Sequence, residues 1–200
     1  MSAAVDFYFE FACPYGYLAS LEIEGLAAKY GRSVNWRAFM LGAIFKITKS
    51  APMMTIPMKG EHMYLDVALC AKLMGVPLTK TEVAPMNSLA AMRAFYWLLD
   101  RDAKKAVELA KAIYRKYWCE GYDISPIEAV ASTGADLGID PSTLTQATQQ
   151  KAVKERQRQE TGAAIEPGVF GSPFVFVDGM SYWGHDRMHH IEYHLRYGEI

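Results

Sequence analysis

Three short segments carry side chains able to do chemistry. The first is Cys13-Pro14-Tyr15-Gly16, directly after the apolar run AVDFYFEF at 4–11. A cysteine between a strand and a helix meets the free N–H groups and the positive dipole end of that helix, and both favour a thiolate. Cysteines so placed titrate well below the free value of ~8.5. Cys13 is therefore expected to ionise and alkylate more readily than Cys70 or Cys119, whose apolar helical surroundings suit packed thiols. A small buried hydrophobe is the plain alternative for Cys13, and its position ahead of a helix argues against that. Two-cysteine disulfide cycling needs a second thiol three residues on, where this chain has Gly16. A nucleophile, a former of mixed disulfides and a sulfur-binding group remain open as roles.

The second segment is Gly171-Ser172-Pro173 ahead of the β-rich FVFV, which by itself reads as a turn. The third is SYWGHDRM, 181–188. His185 or Asp186 stands there at a helix start, with Arg187 alongside. Free N–H groups suit a carboxylate and Asp186 suits an ammonium, so the pair would hold an amino-acid zwitterion. An N-cap with a surface ion pair is the alternative. His185/His189 and His190/His194 are i,i+4 pairs, but no carboxylate or cysteine cluster completes a site and H-E-x-x-H is absent, so no metal is expected.

Composition narrows the classes. Two hundred residues, half of them apolar, make one domain or one domain with a large insertion. A formal net charge of −1 excludes the basic excess of a nucleic-acid binder and gives no reason for a membrane-surface partner. No apolar run approaches the ~20 residues that cross a bilayer, and MSAAVDFYF lacks the basic and apolar regions of a secretory signal. Three widely spaced cysteines fit reduced thiols, so a cytoplasmic setting is expected.

The elements that must position these groups follow from periodicity. Val5, Phe7, Phe9 and Phe11 alternate with Asp6 and Glu10, a strand with one apolar face. Pro14 opens a helix whose stripe is Leu18, Leu21, Gly25 and Ala28 and which stops at Gly31. Val34, Trp36 and Ala38 form a second strand, which completes a βαβ unit. At the other end, Asp178-Gly179 joins FVFV to MSYW as a hairpin, and a last helix carries Met188, Ile191 and Leu195. The residues between read as helices. One is capped by Asn87. One spans 102–119. One has Ser125-Pro126-Ile127-Glu128 as a capping box, and one begins at Asp140-Pro141 and runs into KAVKERQRQE, a solvated charged face. The order β-α-β, helices, β-β-α is that of an α/β, thioredoxin-like fold, 1–45 and 165–200, interrupted by an all-helical domain, 46–164. In such a fold Pro173 is expected to be cis and to face the thiol, with Ser172 offering its backbone to an extended peptide.

DFYFEFACPYGYLA (6–19), PMKGEHMYLD (57–66), PMNSLAAMRA (85–94), GVFGSPFVFVDG (168–179) and YWGHDRM (182–188) together resemble the 2-hydroxychromene-2-carboxylate isomerases and the kappa-class glutathione transferases. Both belong to the DsbA-like group. The resemblance covers essentially the whole chain and implies glutathione as cofactor, a small aromatic substrate and a cytosolic homodimer. By position, Cys13 takes the place of the family's usual serine, which hydrogen-bonds the glutathione sulfur. Ser172, before Pro173, would pair with the cysteinyl backbone, and His185 and Asp186 would hold the γ-glutamyl end. Ser50 and Lys59 fall at or near further glutathione contacts, while Asn87 and Arg93 match a polar pair on the substrate side. The implied reaction is glutathione-dependent isomerisation of a 2-hydroxychromene-2-carboxylate-like intermediate of aromatic catabolism. A kappa-class-like transferase, a monothiol redox enzyme using Cys13 and a noncatalytic glutathione-binding module are the alternatives. Met53, Met54, Met58 and Met63 suit either a flat aromatic ligand or packing beneath the insertion.

Overall fold

A computed structural model describes residues 4–80 and 86–198. Pro85, which opens the PMNSLAAMRA segment, lies outside them. The elements are β1 (Val5–Phe9), α1 (Pro14–Lys29), β2 (Val34–Ala38), α2 (Leu41–Thr48), α3 (Lys59–Met74), α4 (Leu89–Leu99), α5 (Ala103–Trp118), α6 (Ile127–Ala135), α7 (Pro141–Gln149), α8 (Lys151–Ile165), β3 (Phe174–Val177), β4 (Met180–Trp183) and α9 (Met188–Tyr197). A single 3₁₀ turn, His185–Arg187, precedes α9. The four strands form one sheet in the order β2-β1-β3-β4. β1 and β2 run parallel with Val5 opposite Val34, and the remaining pairs are antiparallel. The α/β, thioredoxin-like architecture with helices between its two halves is therefore present.

Helices cover both faces of the sheet. Phe7 and Phe9, with Phe11 just past the strand end, are fully buried with Trp36, Phe95 and Tyr114. On the other face Tyr8 and Phe174 pack against Phe39, Ile44, Ala164 and Val169. The second coverage overturns one reading of the sequence. Alternation gave the strand one apolar face with Asp6 and Glu10 opposite it, yet the opposite side is also packed and Glu10 is 4% exposed.

The helical block is tied to the end of β1 by hydrogen bonds. The β1 ladder ends at Phe9, so the carbonyls of Glu10 and Phe11 need other donors when buried. Tyr114 Oη donates to Glu10 O at 3.0 Å, and Trp118 Nε1 donates to Phe11 O at 3.0 Å. At the end of β2, Tyr96 Oη donates to Ala38 O at 2.5 Å. Three aromatic side chains of the insertion thus fix the strand ends from which the thiol turn departs.

Three local readings need correction. In α1 the buried residues beyond Leu18 are Ala19, Ser20, Ile23, Leu26 and Ala27, while Leu21 is 45% exposed. The first turns of α1 are enclosed on several sides, so no single 3.6-residue stripe describes them. The capping box at Ser125 does not form. Pro126 is extended (φ −69°, ψ 140°) and acts as the N-cap, and the Ser125 hydroxyl accepts from Asn87 N–H instead. The helix begun at Pro141 stops before the charged run, because Gln150 is extended (φ −61°, ψ 137°) and separates α7 from α8.

Candidate active site

Cys13 is the N-cap of α1, with an extended backbone (φ −100°, ψ 116°), and Pro14 takes the first helical position, where its missing N–H costs nothing. Its thiol does not cap the helix. Sγ donates to Ser172 O at 3.0 Å. The Ser172–Pro173 peptide is cis, as expected. Ser172 Oγ accepts from Glu10 N–H at 3.0 Å, and Pro173 O accepts from Gly184 N–H at 3.0 Å. The thiol, the cis-proline loop and the turn leading to His185 and Asp186 therefore form one cluster.

The protonation of Cys13 is opposite to the sequence expectation. Burial pushes its thiol up to about 11, outweighing the Gly16 and Tyr15 N–H groups and the Ser172 hydroxyl, which act downward. Glu10 adds a smaller upward push. The helix start does favour a thiolate, but loss of water opposes it more strongly. At neutral pH Cys13 is a neutral hydrogen-bond donor.

Gly16 explains why a second thiol is missing. A Cβ there would lie 2.8 Å from Tyr114 Oη and 3.0 Å from Ser172 Oγ. The space that a cysteine at 16 needs is filled by the tyrosine of α5.

Helix α3 makes a second wall. Tyr15 Oη donates to Asp66 Oδ2 at 2.6 Å. Cys70, one turn further along α3, has its thiol raised by burial and by the carboxylates of Asp66 and Asp186. His185 lies beside this wall, 3.8 Å from Glu22 Oε2, and burial lowers its pKa against the pull of Glu22, Asp186 and Asp66. Asp186 keeps 66% of its side chain exposed and pairs with Arg187 at 2.7 Å. The residue before the turn has to be glycine: Gly184 has φ +107°, and a Cβ there would strike the Asp186 carboxylate.

The remaining candidates stand apart from this cluster. Ser50 is exposed beyond α2, its hydroxyl 2.6 Å from Thr48 Oγ1. Lys59 is exposed at the first position of α3. Asn87 Oδ1 accepts from Leu89 N–H at 3.1 Å, which makes it a capping group for α4. Arg93, on α4, has a buried Nε without a hydrogen-bond partner, and burial together with Arg158 disfavours its charge. Of the four methionines of the loop, Met63 is buried in α3, while Met58 is 83% exposed. Among the described residues no group of three or more His, Cys, Asp or Glu side chains could hold a metal ion, and no helix is long and apolar enough to cross a membrane.

Sequence reasoning missed Glu10. Its Oε1 accepts from Ala12 N–H at 3.3 Å and its Oε2 from Leu41 N–H at 3.2 Å, and the Ser88 hydroxyl bonds to the same carboxyl. Its main-chain carbonyl accepts from Cys13 N–H at 3.0 Å. Burial pushes the Glu10 carboxyl up to about 7 despite these donors. The one available signal was a charged residue only three positions before the thiol.

A DsbA-like thioredoxin domain matches residues 4–196. The chain belongs to the DsbA-like thioredoxin family, and its relatives there include 2-hydroxychromene-2-carboxylate isomerases and, more distantly, kappa-class glutathione transferases. It is 31% identical to the 2-hydroxychromene-2-carboxylate isomerase of Pseudomonas putida, over 94% of this chain and 92% of that protein. It is 23% identical to glutathione S-transferase kappa 1 of Rattus norvegicus, over 96% and 90%. A solved 2-hydroxychromene-2-carboxylate isomerase superimposes with a TM-score of 0.84 at 28% identity, covering 94% of this chain and 92% of the other.

Proposed function

We propose that this chain is a glutathione-dependent isomerase of 2-hydroxychromene-2-carboxylate-like compounds, with Cys13 serving as a hydrogen-bond donor. The observation that carries the reading is the neutral Cys13 thiol aimed at the carbonyl before the cis-proline. A neutral donor there does the work of a hydroxyl, although a thiol donates more weakly. The near-full-length match to the isomerases supports the reaction class. The same neutral thiol speaks against a monothiol redox enzyme, which needs a thiolate.

The residues present fit glutathione in two places and a substrate carboxylate in a third. Ser172 offers a backbone carbonyl ahead of the cis-proline, which a peptide amide can take over from Cys13. Asp186 offers an exposed carboxylate to an ammonium beyond Gly184. Arg93 carries a buried Nε with no partner, suited to a substrate carboxylate. Glutathione supplies a nucleophilic thiolate that adds reversibly to the conjugated double bond, so that the bond can rotate from cis to trans. With a peptide amide on Ser172 O, the Cys13 S–H would be free to donate to the glutathione sulfur instead. Ser50, Lys59, His185 and Asn87 are assigned to the periphery of the same site, Lys59 as an alternative carboxylate partner. The domain division at 45/46 and 164/165 belongs to this reading.

The test is turnover of a 2-hydroxychromene-2-carboxylate with and without glutathione, with reduced and oxidised glutathione quantified before and after. Turnover that needs glutathione and leaves its total unchanged is the expected result. Equal turnover without glutathione removes the cofactor from the reading, and net consumption of glutathione replaces the isomerase with a transferase.

A further inference from the structure

We propose that Glu10 is a positioning residue for the thiol: its carboxyl joins the Cys13 turn to the helical insertion, and its charge adds to the resistance that burial already sets against loss of the Cys13 proton. The geometry is that of a tether between three segments. Ala12 N–H belongs to the thiol turn, Leu41 N–H to the start of α2, and the Ser88 hydroxyl to the start of α4. The main chain of the same residue holds Cys13 N–H, Ser172 Oγ and Tyr114 Oη. A side chain 4% exposed with this many donors orders its surroundings in a way that a solvated glutamate does not.

The electrostatics point the same way. The titratable groups that face Glu10 are Cys13 and Tyr114; burial raises both, and the Glu10 charge adds a smaller upward push to each. From α2 and α4 only Leu41 N–H and the Ser88 hydroxyl meet it, and among the described residues no Lys, Arg or His pairs with it. A carboxylate in a dry site opposes a second negative charge nearby. The Glu10 carboxyl is held near 7, so this opposition switches on across neutral pH. Below that range Glu10 is neutral and leaves Cys13 alone. Above it, the carboxylate holds the thiolate fraction lower by a constant factor, and the rise with pH resumes from that lower level. The inference needs no substrate and holds whether or not the isomerase reading does.

The experiment is the rate of Cys13 alkylation by iodoacetamide between pH 5.5 and 9.5, read by peptide mapping of the intact protein. In the natural chain the rise of log rate with pH should flatten around pH 7 and then resume. In Glu10→Gln the flattening should vanish, with equal rates at pH 5.5 and roughly tenfold faster alkylation at pH 9, the ratio expected for one pKa unit. Glu10→Asp keeps the charge but shortens the tether; it should keep the flattening and alkylate faster at every pH. Parallel profiles for the natural chain and Glu10→Gln would overturn the electrostatic role. Should Glu10→Gln not fold, the natural profile decides alone, and a straight rise through pH 7 overturns the proposal.

Discussion

At the residue scale, the character of the site comes from what surrounds Cys13. A free N-cap cysteine has reason to ionise, but Cys13 is partly buried, and burial outweighs the helix start. Tyr114 contributes to this and also occupies the space beside Gly16. Gly16→Ala is expected to destabilise the protein by about 1–3 kcal/mol through overpacking. In a Tyr114→Phe background most of that loss should disappear, since the hydroxyl is the nearest obstacle. Urea denaturation of the two single variants and the double variant measures the coupling; additive losses would remove the steric explanation. The place of Cys13 was legible because Pro14 and the strand before it fix a strand-to-helix junction. Its protonation was not, because Tyr114 lies about a hundred residues further along the chain. Glu10 was hidden for a related reason. Period two puts it on the face opposite Phe9, and only α2 and α4, arriving from elsewhere, turn that face into an interior.

At the element scale, the site depends on how the insertion holds the end of β1. Trp118 of α5 donates to Phe11 O, two residues before the thiol. Trp118→Phe removes the pyrrole ring with its N–H, which leaves that carbonyl buried and unpaired at about 1–3 kcal/mol and adds the cost of a cavity. The thiol turn should loosen with it, so amide exchange at 10–13 should speed up beyond the change in global stability. Exchange there that follows only global unfolding would mean that the hydrogen bond does not hold the turn. The strands and the hairpin were legible because their signals are local. Asp178 and Gly179 both have positive φ, as a two-residue turn between twisted strands requires. The phase of α1 and the cap at Ser125 were not legible. Both depend on neighbours: helix packing around α1, and Asn87 reaching Ser125 from the preceding connection.

At the scale of the whole molecule, one half supplies the thiol turn and the cis-proline loop, and the helical half holds the end of β1 through Tyr114 and Trp118 and supplies Arg93 with its unpaired Nε. In this account Cys13 acts as a donor, as a serine would, and neither attacks the substrate nor cycles through disulfides. The most direct measurement is glutathione-dependent isomerisation by the natural chain, Cys13→Ser and Cys13→Ala, with glutathione affinity measured in parallel. Serine, the stronger donor, should preserve or raise turnover, and alanine should lower it by about ten- to a hundredfold, the loss of one hydrogen bond to a charged sulfur. Loss of turnover in Cys13→Ser while glutathione still binds would contradict the account and make Cys13 a nucleophile or a redox centre.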